Sequence, residues 1–513
     1  MKNITVIGLW MLASLLASAQ QAAMYRIQLH DKGESSFSLS APEDFLSEKA
    51  IQRRARQGYA VDSTDLPIAT AYMDSLTAAG ANVRACSKWV KTVLADIPDA
   101  TVLAQVAALP FVDTLIKVRP ERPQAAPPST LRKFSENLDF NPTDYGNAWH
   151  QLELNNAHLL HEAGFKGNGI TIAVVDAGFL NIDLLTDFLN PAQILGTKNF
   201  THETGDFYRI NQSHGTMVLS CILANKAGQM IGTAPEAEVY LLKSEVNGEE
   251  YPVEEDYWVA ALEYADSIGV DIVTTSLGYT TFDDASMNHT WDDLDGATVP
   301  ASRAATMAAN KGLLLCNAAG NEGSNAWRKI SVPADADNLL TVGGIAGDST
   351  LAYFSSHGYT ADHRVKPDVV AMGALPYVLN ASGSVGASNG TSFATPIMAG
   401  MVACLWSALP DLTALELMQA VRQSADRYAQ PDSLFGFGIP NIYQVYEQLS
   451  PPTAIALPMK PDLDGACYDV FSIDGRLLRK QVDKSVVRSL PAGVYILRHY
   501  SDNQQYARKI MIL

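Results

Sequence analysis

Four short segments carry residue types suited to acyl-transfer chemistry. Asp176 closes the apolar run ITIAVVD, His214 opens the small-residue stretch HGTMVLSCILA, Asn321 lies in AAGNEG, and Ser392 lies in GTSFATPIMAGMVAC. A serine hydroxyl is a weak nucleophile and needs an adjacent base. Histidine titrates near neutrality, so it can take the proton and return it to a leaving amine. The imidazolium that forms needs a buried carboxylate to orient and stabilise it. Asp176, His214 and Ser392 are the candidates for these three parts. The Asn321 amide could donate to a tetrahedral oxyanion beside the Ser392 backbone N–H. Gly390 and Thr391 leave room for a sharp turn into a helix that presents Ser392 at its amino end, where the helix dipole favours negative charge. Pro396 is compatible with that helix's first turn. Ala394, Ala399, Gly400 and Ala403 allow close packing against the helix carrying His214.

These residues need a frame. ITIAVVDAG, AEVYLLKS, GVDIVTTSLG, GLLLCNAAGN and LLTVGGIAG are short apolar runs with helical stretches between them. Such runs indicate a parallel sheet covered on both faces, whose site forms outside the carboxyl ends of the strands. Asp176, Ser276 and Asn321 each fall at or just past such an end. Ahead of this block, residues 24–119 alternate strand and helix signals and read as a small α+β domain: a strand at MYRIQLHD, a helix over APEDFLSEKAIQRRARQG with Pro42 and Glu43 in its first turn, helices at Ala69–Ala79 and Asp99–Ala108, and strands at WVKTVLADI and VDTLIKV. The linker RPERPQAAPPST is too proline-dense for regular structure and open to proteolysis. After a break at Pro451, strand signals around Asp474-Gly475 and in GVYILRHY and QYARKIMIL, with a turn at Asp502-Asn503, read as a short all-β module.

The four motifs, in the order Asp, His, Ser, resemble the subtilase family of serine peptidases. The resemblance covers about 300 residues of the middle block. It implies a subtilisin-like α/β fold, a triad of Asp176, His214 and Ser392, and an oxyanion role for Asn321. It further implies that Ser276, Leu277 and Gly278 form a substrate-binding edge, to which an extended peptide adds as a strand, and that Ala318, Ala319 and Gly320 wall the primary specificity pocket. FGFGIPN resembles the segment before the family's last core helix. Met217, Met398 and Ala177 depart from common family residues without touching the triad. The first block resembles the family's propeptide, an inhibitor and folding chaperone. The third resembles the C-terminal sorting domains of type IX secretion cargo, through VFSIDGRLL, SLPAGVYIL and Lys509.

Bulk properties set the remaining bounds. The chain is 47% hydrophobic and 18% charged, which indicates a core-forming protein. Its formal charge of −18, with no Lys/Arg cluster, gives no electrostatic footprint for nucleic acid. Lys2, the apolar run Ile4–Leu16 and Ala17-Ser18-Ala19 fit a secretory leader, and no later stretch reads as a transmembrane segment. Five scattered cysteines form no metal motif or disulfide framework; Cys221, Cys316 and Cys404 read as buried free thiols, a Cys221–Cys404 bridge being the alternative. Asp283, Asp284, Asp292, Asp293 and Asp295 read as a solvated acidic loop. No cofactor is expected; calcium is possible but has no clear motif. The expected organisation is a leader at 1–19, a propeptide at 20–119, a linker at 120–144, a peptidase domain at 145–449 and a β-module at 450–513. The expected activity is secreted, or cell-surface, serine endopeptidase action on polypeptides through an acyl-enzyme, with the propeptide as inhibitor and the type IX machinery as exporter. The alternative is an inactive binding or surface-adhesion protein on the same fold.

Overall fold

A computed structural model describes residues 22–121, 144–450, 467–472, 476–488, 490–491, 493–501 and 504–512. The leader, most of the linker, the Pro451 break and the turns at Asp474-Gly475 and Asp502-Asn503 lie outside the described residues. The chain divides between Gln448 and Leu449 into two units.

The first unit opens with β1 (Ala23–Leu29), α1 (Glu48–Gln57), α2 (Thr70–Ala78), β2 (Asn82–Ser87), β3 (Thr92–Ile97), α3 (Ala100–Ala107) and β4 (Val112–Arg119). The strands form one antiparallel sheet in the order β2-β3-β1-β4. The helix expected from Pro42 starts later. Pro42–Asp44 is a separate 3-10 turn, and Ser47 caps α1 by accepting the Ala50 N–H. Asp99 caps α3 in the same way. The strand β2 was not expected; its half-exposed, polar-mixed edge sequence hides its period.

The same unit continues with α4 (Trp149–Glu153), α5 (Ala157–Glu162), β5 (Thr171–Asp176), β6 (Ile194–Asn199), α6 (His214–Leu223), the short pair β7 (Asn225–Lys226) and β8 (Met230–Ile231), β9 (Glu238–Lys243), α7 (Val253–Ile268), β10 (Ile272–Thr275), α8 (Pro300–Ala309), β11 (Leu314–Ala318), β12 (Leu340–Ile345), β13 (Val369–Met372), the hairpin β14 (Ala374–Leu379) and β15 (Val385–Asn389), α9 (Thr391–Ala408), α10 (Ala414–Gln423) and α11 (Ile442–Leu449). Seven strands make the expected parallel sheet, in the order β13-β12-β11-β10-β5-β9-β6. All six residues of β5 are buried. Alternate side chains serve opposite faces: Ile172 and Val174 pack with Leu219, Ile222, Phe393 and Ile397, whereas Ala173 and Val175 pack with Leu262, Ala265, Ala304 and Ala308. Thus α6 and α9 cover one face, and α7 and α8 the other. Among the described residues, only α9 is long and apolar enough to cross a membrane, and it is a buried core helix.

The N-terminal domain seats on α7. On α1 the buried residues are Ala50, Arg53, Arg54 and Gln57, a helical stripe that is largely polar because it faces carboxylates. Arg53 and Arg54 both reach Asp266, at 2.5 Å each, and Arg54 also binds Asp65 at 2.7 Å. Lys311 pairs with Asp65 at 2.8 Å. Arg26 on β1 binds Asp256 at 2.7 Å and Glu255 at 3.0 Å. The Ser87 hydroxyl and the Lys88 and Trp89 N–H groups all donate to Glu263.

Cys221, Cys316 and Cys404 are buried free thiols. The alternative Cys221–Cys404 bridge is absent: Cys404 Sγ instead donates to the Thr233 carbonyl at 3.0 Å. In the second unit β16 (Tyr468–Ser472), β17 (Leu477–Val482), β18 (Gly493–Ser501) and β19 (Gln504–Ile512) form an antiparallel sheet ordered β17-β16-β18-β19, with α12 (Lys484–Arg488) between β17 and β18. Tyr468, Val470, Val487 and Leu497 form its small core.

Candidate active site

Asp176 is the last residue of β5 and fully buried. Its Oδ1 accepts two hydrogen bonds, one at 2.7 Å from His214 Nδ1 and one at 2.8 Å from the Ala177 N–H. His214 begins α6, and the N–H of its neighbour Gly215 donates to the Gly178 carbonyl at 2.9 Å. The turn after β5 is therefore docked on the start of the histidine helix. In the neutral tautomer whose Nδ1–H donates to the carboxylate, Nε2 carries the lone pair that a base needs.

Ser392 is the second residue of α9 and 2% exposed. Gly390, just ahead of the helix, has φ 149°, a conformation that side chains rarely adopt, so glycine permits the sharp entry. The ring of Phe393 lies 5.9 Å from that of His214, which puts the starts of α9 and α6 side by side. Ser276 grips the serine from below. Its hydroxyl donates to the Ser392 carbonyl at 2.7 Å, and its own carbonyl accepts from Ser392 Oγ at 3.3 Å.

Asn321 is held at its amide oxygen, which accepts the Thr391 N–H at 2.9 Å and the Thr391 hydroxyl at 3.1 Å. Thr391, the residue that precedes Ser392, thus engages the amide oxygen, and the NH₂ is the donating end of Asn321. The motif reading named Asn321 but missed its keeper, Thr391, although GTS contains it.

The expected substrate-binding residues divide by burial. Ser276 is buried and engaged with Ser392, Leu277 is half-buried, and Gly278 is exposed. A Cβ on Gly278 would come 2.0 Å from Ser331 Oγ, so this edge is narrow enough to require glycine. Ala318 and Ala319 are buried. Ala319 spends its N–H on Val342 and its carbonyl on Ser331, at 3.0 and 3.1 Å. Gly320 is half-buried and donates to Thr391 Oγ1 at 3.3 Å. Ser331 was not singled out by motif; its segment, Ile330–Val332, is buried against Ala319.

The acidic loop is built of local caps. Asp284 caps Ser286, Asp293 caps Thr290, and Asp295 caps Ala297 and Thr298. Asp283 accepts from the Glu250 N–H. Among the described residues, the carboxylates whose oxygens cluster closely enough to hold a metal are instead Glu245, Glu250 and Glu254. Burial pushes the Glu245 carboxyl up to about 7, against hydrogen bonding from Tyr279. Glu254 is also raised, by burial and its acidic neighbours. It accepts the Val246 N–H at 2.7 Å, which gives it a structural part at the start of α7.

Residues 167–438 match the profile described as "Subtilase family", and residues 24–132 match "Peptidase S8 propeptide domain, Bacteroidota". Similar proteins include Subtilisin E of Bacillus subtilis (strain 168), 29% identical over 290 residues, which cover 56% of this chain and 68% of that protein. Serine protease AprX of the same organism is 30% identical over 306 residues, 54% of this chain and 65% of its own length. Subtilisin-like protease SBT6.1 of Arabidopsis thaliana is 27% identical over 332 residues, 61% of this chain and 29% of its own. With a family match over more than half its length, laid on a seven-stranded parallel sheet, this chain belongs to the subtilase family and is a serine endopeptidase preceded by its own propeptide domain.

Proposed function

We propose that the chain is an exported zymogen that cleaves polypeptides through Asp176, His214 and Ser392. The observation that carries this reading is the buried 2.7 Å bond from His214 Nδ1 to an Asp176 oxygen that the Ala177 N–H also fixes. Ser392 Oγ attacks the scissile carbonyl carbon while His214 Nε2 takes its proton. Asp176 stabilises the imidazolium. The Asn321 amide and the Ser392 N–H receive the charge on the carbonyl oxygen. The intermediate collapses to an acyl-enzyme as His214 protonates the leaving amine. Water, activated by the same histidine, then releases the second product. Gly278 offers an exposed backbone edge for the substrate strand. A fluorophosphonate probe tests the reading. It should label Ser392 and stop peptide hydrolysis; an unlabelled Ser392 would support the inactive binding protein instead.

The propeptide domain is held to α7 by buried ion pairs and ends at Arg119, bound to Glu249 at 2.7 and 3.0 Å. In this proposal it inhibits until the chain is cut between Arg119 and Tyr145, and the leader at 1–19 directs export. Residues 450–513 act as an address for type IX secretion, read by a receptor and not an anchor. Deleting them should leave activity intact and trap the enzyme in the periplasm. Active truncated enzyme in the medium would reject the address.

A further inference from the structure

Lys243 ends β9 and pairs in register with Asp176, the end of β5. It is fully buried. Its ammonium donates to the Ala177 carbonyl at 2.8 Å and to the Glu245 carbonyl, and it forms an ion pair with Glu203 at 2.8 Å. Two backbone carbonyls accept from this ammonium, and the Glu203 carboxylate balances its charge. A buried cation is costly unless it is paired and bonded in this way.

The reaction proposed above gives Lys243 no chemical step, yet its partners are the supports of the two groups that must meet. Asp176 is secured at Oδ1 alone; Oδ2 is buried with no hydrogen-bond partner. The terminal torsion of a carboxylate is soft, so its aim depends on its backbone donor, the Ala177 N–H. The Lys243 bond to the Ala177 carbonyl fixes the far side of that same residue. The next carbonyl, that of Gly178, receives the Gly215 N–H at the head of the histidine helix. Glu203 lies in the segment that runs from β6 to His214. Its carbonyl accepts from Asn199, and its carboxylate lies on Lys243. A single ammonium thus ties the turn after Asp176 to the chain that leads into His214.

We infer that Lys243 is a positioning residue for peptide hydrolysis, holding Asp176 and His214 in register, an inference that rests on the triad reading. The hydrogen bonds of the Lys243 ammonium go to Ala177 and Glu245 and not to the substrate edge at Gly278, so the effect belongs chiefly in kcat. Charge provides a second signature. Charged and titratable groups on the Asp176 side include Lys243 and Glu245 at the end of β9 and Glu203 after β6, with the Tyr279 hydroxyl on Glu245 and the Glu250 and Glu254 carboxylates clustered with it. Removing the ammonium leaves Glu203 unbalanced and favours the imidazolium, so the acid limb of the kcat/KM profile moves to higher pH. Removing the Glu203 charge moves it lower.

The test compares Lys243→Met, Glu203→Gln and the double variant, each expressed as the full chain, matured, and counted by fluorophosphonate titration so that rates refer to competent sites. Small misplacements of catalytic groups cost on the order of 10²-fold. Lys243→Met should lose roughly ten- to a hundredfold in kcat per titrated site, with KM within about twofold, and its acid limb should rise. Glu203→Gln should lower the limb. The double variant should return the limb towards wild type but keep the kcat loss. If the lysine merely closes the sheet end, Lys243→Met lowers the yield of titratable sites while the sites that remain turn over normally at an unmoved limb, and that result overturns the inference. Should Lys243→Met not mature, an unmoved limb in Glu203→Gln overturns it equally. A wild-type enzyme that the probe does not label removes the triad reading, and this inference with it.

Discussion

The catalytic cleft and the outer face of α7 are both buried and both polar, but they are built on different physics. In the cleft, most bonds use a neutral backbone group: the Ala177 N–H to Asp176, the Ser276 hydroxyl to the Ser392 carbonyl, the Thr391 N–H to Asn321. On α7, four carboxylates (Glu255, Asp256, Glu263 and Asp266) meet cations and N–H groups from the propeptide domain. A buried charge pair contributes little net stability while intact, but breaking it strands an uncompensated charge. The cleft is therefore made to persist through turnover. The dock on α7 holds only while both sides are present, which suits a domain that must eventually leave.

The largest expected effect tests the cleft. Ser392→Ala should lower kcat by about 10⁶-fold, a magnitude carried over from subtilisin, while thermal unfolding stays near that of wild type. A tenth of wild-type turnover in purified protein would remove Ser392 from the reaction. The uncut precursor should also accumulate, which mass spectrometry reads directly. Asn321→Leu comes next, with an expected loss of about 10²–10³ in kcat and little change in KM, again by carry-over from subtilisin. A loss expressed wholly in KM would contradict a donor that acts only as charge develops.

The dock should respond differently. Arg54 has no exposed surface and bridges Asp65 and Asp266. In the Ser392→Ala precursor, Arg54→Ala should reduce the opening free energy of α1 amides by about 3–5 kcal/mol, read by hydrogen exchange. The sites that bind a fluorophosphonate in the matured enzyme should turn over normally. Unchanged exchange would mean that the buried pairs are not what holds the dock.

Much of the cleft was legible in the sequence because its determinants are local. A strand end, a helix start and a glycine turn each leave a mark in a few consecutive residues, so Asp176, His214, Ser392 and Asn321 could be named as candidates by motif. Lys243 and Ser331 were given no part, and Thr391 only a part in the turn, because their bonds depend on partners far along the chain. Lys243 reads as one more residue in a strand, and only the β5–β9 register sets it beside Asp176. The parallel sheet was readable from its buried runs. The edge strand β6 was missed because none of its residues is buried and its second half is polar; β13, as short and as buried as β10, was not singled out either. On α1, polar residues at Arg53, Arg54 and Gln57 look like a solvated face. Arg53 and Arg54 are buried because Asp266 on α7 and, for Arg54, Asp65 supply the opposite charge, and Gln57 because it bonds the Gly312 carbonyl and the Ala414 N–H; the sequence of α1 contains none of these partners.

The smallest expected effect sharpens the comparison by pH. His289 Nε2 and Arg26 share Glu255, at 2.5 and 3.0 Å. Burial pulls the His289 pKa down, but the hydrogen bond and charge of Glu255, with help from Asp293, leave it above the ordinary value near 6.5. A histidine whose folded value is raised binds its proton more tightly folded than unfolded. Its contribution to stability is therefore fully present below pH ~6.5 and is lost as pH rises through the folded value. In the Ser392→Ala precursor, His289→Gln should lower Tm by about 2 °C at pH 5.5, and the gap to the parent should close towards pH 8.5. Parallel Tm curves for the two proteins across that range would show that the imidazolium has no such part. The Asp176–His214 pair offers the contrast, since in the proposed reaction its histidine cycles a proton at every turnover. A histidine–carboxylate pair therefore braces the fold in one place and, in the proposed reaction, moves a proton in another.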